Sequence, residues 1–167
     1  MTLKNYTSVV QVDRTITEIE KLLIKVGAKK ILKDYNEMGK VSALSFVWEL
    51  NGKQIPVRLP ARVERVAECL RRRFNGDESL TSSQRKTIKH MMQDPDSAER
   101  TIWRIMLDWL EANIAIMEID QVNMMEALLP FTVMENGNTL YELIEKRGFD
   151  FKKLDRALEY RHPGVDE

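Results

Sequence analysis

The sequence predicts an α+β fold: strand, helix, three-stranded antiparallel meander and helix, followed by a mostly helical half around one long central helix. Three observations predict it. Lys40 to Leu50 alternates, with Leu44, Phe46, Trp48 and Leu50 on one side, and Asn51-Gly52 follows, suited to a two-residue turn with positive φ at both positions. Ala98 to Met117 carries two adjacent apolar rows at helical spacing, Ile102/Met106/Trp109/Ile116 and Trp103/Leu107/Leu110/Ile114/Met117. The later chain is punctuated by helix-start pairs, Thr81 with Gln84 and Thr139 with Glu142.

Taken in order, the valines of Tyr6 to Val12 favour a first strand. Thr15 and Glu18 read as the capping box of a helix with Ile16, Ile19, Leu22, Leu23 and Val26 inward, and Gly27 as its stop. Lys30 to Tyr35 enters the meander through Asn36-Glu37-Met38-Gly39. The turn sets the register: Leu50 opposite Lys53, Trp48 opposite Ile55, Phe46 opposite Val57, Leu44 opposite Leu59. A one-residue slip would turn every apolar partner to the wrong face. Pro56 then falls opposite Val47 at a pair that needs no N–H, which makes Ile55 to Leu59 an edge strand. Pro60 opens a helix over Ala61 to Phe74, and Asn75-Gly76-Asp77-Glu78 divides a single domain into lobes 1–76 and 77–167.

In the second lobe, a helix spans Ser82 to Met92, and Asp94-Pro95 starts the central one. Its two rows cover over half the circumference, so other elements should pack on several sides. Its polar strip holds Arg104, Asp108, Glu111 and Glu118. Trp103 and Trp109 lie on opposite sides, so one is a candidate to face a partner subunit in a homo-oligomer. A short helix from Val122 to Leu129 ends at Pro130, and Phe131 to Met134 is extended before a turn at Glu135 to Asn138. Thr139 starts a further helix that Gly148 follows, and Asp150 caps a last one with Phe151, Leu154 and Leu158 inward, ahead of a loose tail from His162.

Hydrophobic residues at 43% and charged residues at 31% fit a globular chain able to bury a core without staples. No run approaches the ~18 apolar residues of a membrane span. The start MTLKNYTSVV lacks signal-peptide character, and the lone Cys69 favours a reducing compartment, so the expectation is cytoplasmic. Net charge is zero but polarised: residues 1–80 hold 15 basic against 10 acidic residues, and 81–167 hold 11 against 16. The first half could attract an anion; equally, the two halves could attract each other within or between chains.

The leading candidate site is the arginine set Arg58, Arg62, Arg65, Arg71, Arg72 and Arg73. Arg62, Arg65, Arg72 and Arg73 share an arc of about 100° on their helix. Guanidinium groups suit phosphate because their donors form a rigid fork. Lys29, Lys30 and Lys33 could extend the patch, while Glu64 and Glu68 interrupt it. A solvated helix face with local ion pairs is the competing reading. Arg85, Lys86, Lys89 and His90 form a second, shorter basic group. Asp108 and Glu111 are the pair to inspect for a carboxylate metal site, against ordinary helix ion pairing. Two distant histidines and one cysteine give no zinc spacing, and neither a G-x-S-x-G elbow nor a phosphate-binding Gly-rich loop is present, so neither metal nor cofactor is assigned. Cys69 lies on the arginine side of its helix, where a thiolate would be stabilised. Met91, Met92, Met124 and Met125 read as adaptable core filler or a partner surface.

The run SAERTIWRIMLDWLEANIAIMEIDQVNMMEALLPFTV and the phrases TLYELIE, VSALSFVWE and IPVRLPARVERV resemble a family of small bacterial and phage-borne proteins over nearly the whole chain. The resemblance assigns no residue a role. It implies the context of a phage, prophage or mobile element, whose accessory proteins bind host factors, nucleic acid or nucleotide signals in recombination or defence evasion. The sequence therefore points to a non-catalytic protein binding a phosphate-bearing ligand, nucleic acid or nucleotide, through Arg58, Arg62, Arg65, Arg72 and Arg73. The alternatives are a module that inhibits or adapts a host protein through the edge strand, and, last, a carboxylate-metal enzyme.

Overall fold

The computed structural model describes residues 3–150, in which the α+β class holds. Tyr6 to Val12 does not form a strand. Residues 4–7 turn, with Asn5 in the left-handed region (φ 60°) and the Ser8 amide donating to the Asn5 carbonyl at 2.9 Å. Valine favours strands only where a pleated surface receives its side chain, and Val9 is 82% exposed among the described residues.

Helix α1 (Val12–Lys25) starts one turn earlier than the Thr15–Glu18 box predicts. Gln11 is its N-cap, the Thr15 amide donates to the Gln11 carbonyl at 3.2 Å, and Thr15 itself is buried in the second turn. Burial of Ile16, Ile19 and Leu23 governs the helix, and Gly27 (φ 101°) ends it as expected.

The meander follows the sequence pattern closely. Strands β1 (Lys29–Tyr35), β2 (Val41–Leu50) and β3 (Lys53–Pro60) form an antiparallel sheet in the order β1-β2-β3. Leu50 meets Lys53, Trp48 meets Ile55, Phe46 meets Val57 and Leu44 meets Leu59. Asn51 (φ 52°) and Gly52 (φ 74°) take the two left-handed positions of the turn. A Cβ on Gly52 would touch nothing within 4 Å, so Gly52→Ala carries only a conformational penalty. We expect it to destabilise the protein by about 1 kcal/mol, read as a lower urea midpoint at unchanged slope.

Pro56 faces Val47 and β3 is an edge strand of the sheet, as Ile55 to Leu59 suggests, but its outer flank is partly occupied. The Pro56 carbonyl accepts from the Val133 amide at 2.8 Å, and Val57 bridges antiparallel to Thr132. The extended residues after the short helix thus return to cover the middle of the strand's outer side.

The remaining helices are α2 (Val63–Gly76), α3 (Ser82–Gln93), α4 (Ser97–Glu118), α5 (Met124–Leu128) and α6 (Leu140–Lys146), with a tight helical turn at Leu129–Phe131. Thr81 with Gln84 and Thr139 with Glu142 both form complete capping boxes, and Asn123 with Glu126 adds a third. The proposed last helix after Asp150 and the tail from His162 lie outside the described residues.

Helix α4 is a central post: α1, α2, α3 and α5 all pack on it. Its Trp103, Leu107, Leu110 and Ile114 join Ile16, Ile19 and Leu23 of α1, Leu44 and Phe46 of β2, and Val57 and Leu59 of β3 in one core. A smaller cluster holds Val66 and Leu70 of α2 with Leu80 and Ile88. The two lobes thus share one interior rather than parting at residue 76. Trp103 is fully buried and so faces no partner, while Trp109 is half-buried and meets the Phe131 ring edge-on at 5.6 Å. Of the methionines, Met124 is core and Met92 is exposed.

Candidate functional site

The arginine set divides by what each guanidinium meets. Arg58 lies opposite Ser45, on the face of the sheet away from the core, and donates to the Gly137 carbonyl at 3.1 Å and to Glu142 Oε2 at 3.2 Å. It is a tie between β3 and the start of α6, not a free cation. Arg73 turns inward: its side chain is 15% exposed, its Nε lies 3.7 Å from Asp77 and its guanidinium lies over the Tyr6 ring. Both were plausible ligand residues by position alone, and both are committed to the fold.

Arg62, Arg65, Arg71 and Arg72 make no side-chain hydrogen bond or ion pair among the described residues. Arg62 is the N-cap of α2, because Pro60 completes β3 and the helix starts two residues later than the sequence suggests. Its side chain makes no cap bond and, with Arg65 one turn on, lines a recess of the described surface. Arg72 continues that side of the helix beyond the recess, and Arg71 lies elsewhere around it.

The recess is a cleft of about 480 Å³ between α2, α4 and the segment leading into α6. Val66, Ile102, Ile105, Pro130 and Phe131 make it apolar, and Leu3 borders it. Cys69, half-buried, lines the α2 wall with Arg62 and Arg65, and Thr139, Tyr141 and Glu142 line the other side. This wall was not legible in the sequence. The available signal was Ile105, an apolar residue outside both rows of the central helix.

Glu142 organises the α6 side. Its Oε2 accepts from the Thr139 amide at 2.8 Å as well as from Arg58. The Thr139 backbone bond, with the charges of Arg58 and Arg62, holds its carboxyl below the usual glutamate range despite partial burial. A carboxyl whose pKa is lowered by folding adds stability above its unfolded pKa and loses it as acidification passes through the folded value. Glu142→Gln keeps the capping geometry but not the charge. Thermal midpoints measured below and above the glutamate range should therefore show a shallower acid loss in the variant than in the wild type.

The other candidates resolve into structure. Lys30 bonds Gln54 and Lys33 pairs with Glu20, and neither lysine lines the cleft. Arg85 donates to the carbonyls of Phe74 and Asp77, closing the α2–α3 corner, and Lys86, Lys89 and His90 are exposed. Asp108 does not pair with Glu111 to present a metal site. Burial pushes its carboxyl up, but hydrogen bonds from Asn5 and Lys4, with the charges of Lys4 and Arg104, outweigh that and hold it low. It pins the N-terminal turn to α4. Among the described residues no group of three His, Cys, Asp or Glu side chains could hold a metal ion.

Comparison with protein-family models, curated proteins and solved structures finds no match to this chain. No helix among the described residues is long and apolar enough to cross a membrane.

Proposed function

We propose that this chain is a non-catalytic accessory protein of the phage or mobile-element kind that binds a phosphate-bearing ligand in the α2 cleft. The observation that carries the reading is the pairing of two uncommitted guanidinium groups, Arg62 and Arg65, with an apolar floor. An apolar recess with a few convergent polar groups is the usual form of a small-ligand site, and about 480 Å³ lies within the usual range. The amino end of α2, at Arg62, adds a favourable field for a negative group. A nucleotide fits this better than a nucleic-acid strand: the base takes the floor and the phosphate takes the arginines. A strand would call for a longer basic track, and Arg58 and Arg73 do not extend one. Binding a nucleotide signal would suit a role in defence evasion or recombination.

The alternative, inhibition or adaptation of a host protein through the β3 edge, is weakened by Thr132 and Val133, which occupy the middle of that edge. Calorimetric titration of the full chain with inorganic phosphate, mononucleotides and a single-stranded oligonucleotide tests the choice. Mononucleotides should bind, phosphate alone should bind weakly, and the oligonucleotide should bind no tighter per site. Absence of binding by any nucleotide would remove the proposal.

A further inference from the structure

Glu142 does its structural work with one of its two carboxylate oxygens. Oε2 accepts from the Thr139 amide at 2.8 Å and from Arg58 at 3.2 Å, which occupies both of its lone pairs. No donor among the described residues bonds Oε1. The helix cap and the tie to β3 therefore leave half of the carboxylate unused. Among the described residues Glu142 is also the one acidic side chain that lines the α2 cleft, on the wall across from Arg62 and Arg65. The Thr139 bond, with the charges of Arg58 and Arg62, keeps it ionised at neutral pH.

A cleft that takes phosphate on two arginines gains nothing from a carboxylate unless the rest of the ligand presents hydrogen-bond donors to it. A carboxylate oxygen in an apolar recess repels lone pairs and attracts N–H groups. The common nucleobases differ on this point along the edge that proteins read. Adenine and cytosine each place a ring-nitrogen lone pair beside a single amino group. Uracil and thymine flank one N–H with two carbonyl oxygens. Guanine alone sets a ring N–H and an amino group side by side, both donating in one direction. One oxygen with two free lone pairs accepts from both. The apolar floor, which includes Val66, Ile105 and Phe131, takes the two-ring system of a purine.

We propose that the cleft selects guanine nucleotides, with Glu142 reading the base and Arg62 and Arg65 holding the phosphate. The inference rests on the cleft taking a nucleotide, and it gives Glu142 a specificity-determining role beside its structural one. The same geometry dictates what glutamine does at this position. Thr139 and Arg58 both donate, so in Glu142→Gln the amide oxygen stays with them and the amino group takes the place of Oε1. The cleft then offers donors where it offered an acceptor. That repels the guanine edge and suits the ring nitrogen of adenine.

Calorimetric titration of the full chain with guanosine, inosine, adenosine, cytidine and uridine monophosphates tests this. The guanosine nucleotide should bind about tenfold or more tighter than the adenosine, cytidine and uridine ones. Inosine keeps the ring N–H and lacks the amino group, so its nucleotide should fall between. In Glu142→Gln the order of guanosine and adenosine should reverse, a change that a purely structural role for Glu142 would not produce. The ranking on the wild type holds whether or not the variant folds. A wild type with no preference for guanosine, or a folded variant that keeps that preference, would overturn the base assignment and leave the phosphate site standing. Failure of all five to bind would remove both.

Discussion

Arg62→Ala/Arg65→Ala should abolish nucleotide binding while leaving the fold nearly unchanged. Each guanidinium offers charge-assisted hydrogen bonds worth about 1.5–3 kcal/mol once the phosphate is out of bulk water. Losing both should weaken affinity by about a hundredfold or more. Neither side chain makes a hydrogen bond or ion pair among the described residues, so unfolding free energy should move by no more than about 0.5 kcal/mol. Arg58→Ala is the informative contrast. It breaks the contacts to Gly137 and Glu142, so it should lower stability more than it lowers binding. Lysine at 62 and 65 keeps charge without the fork and should restore only part of the affinity. Titration calorimetry and urea unfolding on the same preparations separate the two effects, and undiminished binding by the double variant would refute the site.

Trp103→Ala should be the most damaging single change to stability. Trp103 is fully buried where α4 meets the core, and truncating a buried tryptophan costs about 3–5 kcal/mol. That is a large share of the roughly 5–15 kcal/mol that holds a typical domain together. Trp103→Phe should cost much less. The indole Nε1 is buried without a hydrogen-bond partner among the described residues, so removing it surrenders no bond there. Equilibrium unfolding of both variants gives the ordering, and a phenylalanine variant as unstable as the alanine one would contradict it.

The elements legible in the sequence are those whose signal is local. The Asn51-Gly52 turn sets the strand register because left-handed backbone is affordable at few residue types, and the side-chain alternation leaves one workable pairing. The central helix was legible from its width of apolar surface, and the Thr81 and Thr139 caps from side chain–backbone bonds three residues apart. The failures came where distant partners decide. The valines near residue 9 have strand character but no neighbouring strand. Thr15 can cap a helix, yet the buried face of α1 carries it one turn inside. The candidate site was legible in part. The α2 spacing put Arg62 and Arg65 together, but the same spacing could not reveal that Arg58 meets Glu142, 84 residues away, or that Arg73 folds under Tyr6. The cleft floor depends on Pro130 and Phe131 arriving beside Ile105, which no local pattern encodes.

The return of Thr132 and Val133 to β3 has a consequence for how the protein behaves at high concentration. An unpaired strand flank is a template on which further chains can stack into fibrous aggregates. Here one flank is already occupied at its middle, and β1, on the other side, is interrupted twice in its pairing with β2. The sheet therefore presents little straight, vacant backbone for runaway growth. Loosening the 132–133 segment should make fibrous aggregation easier.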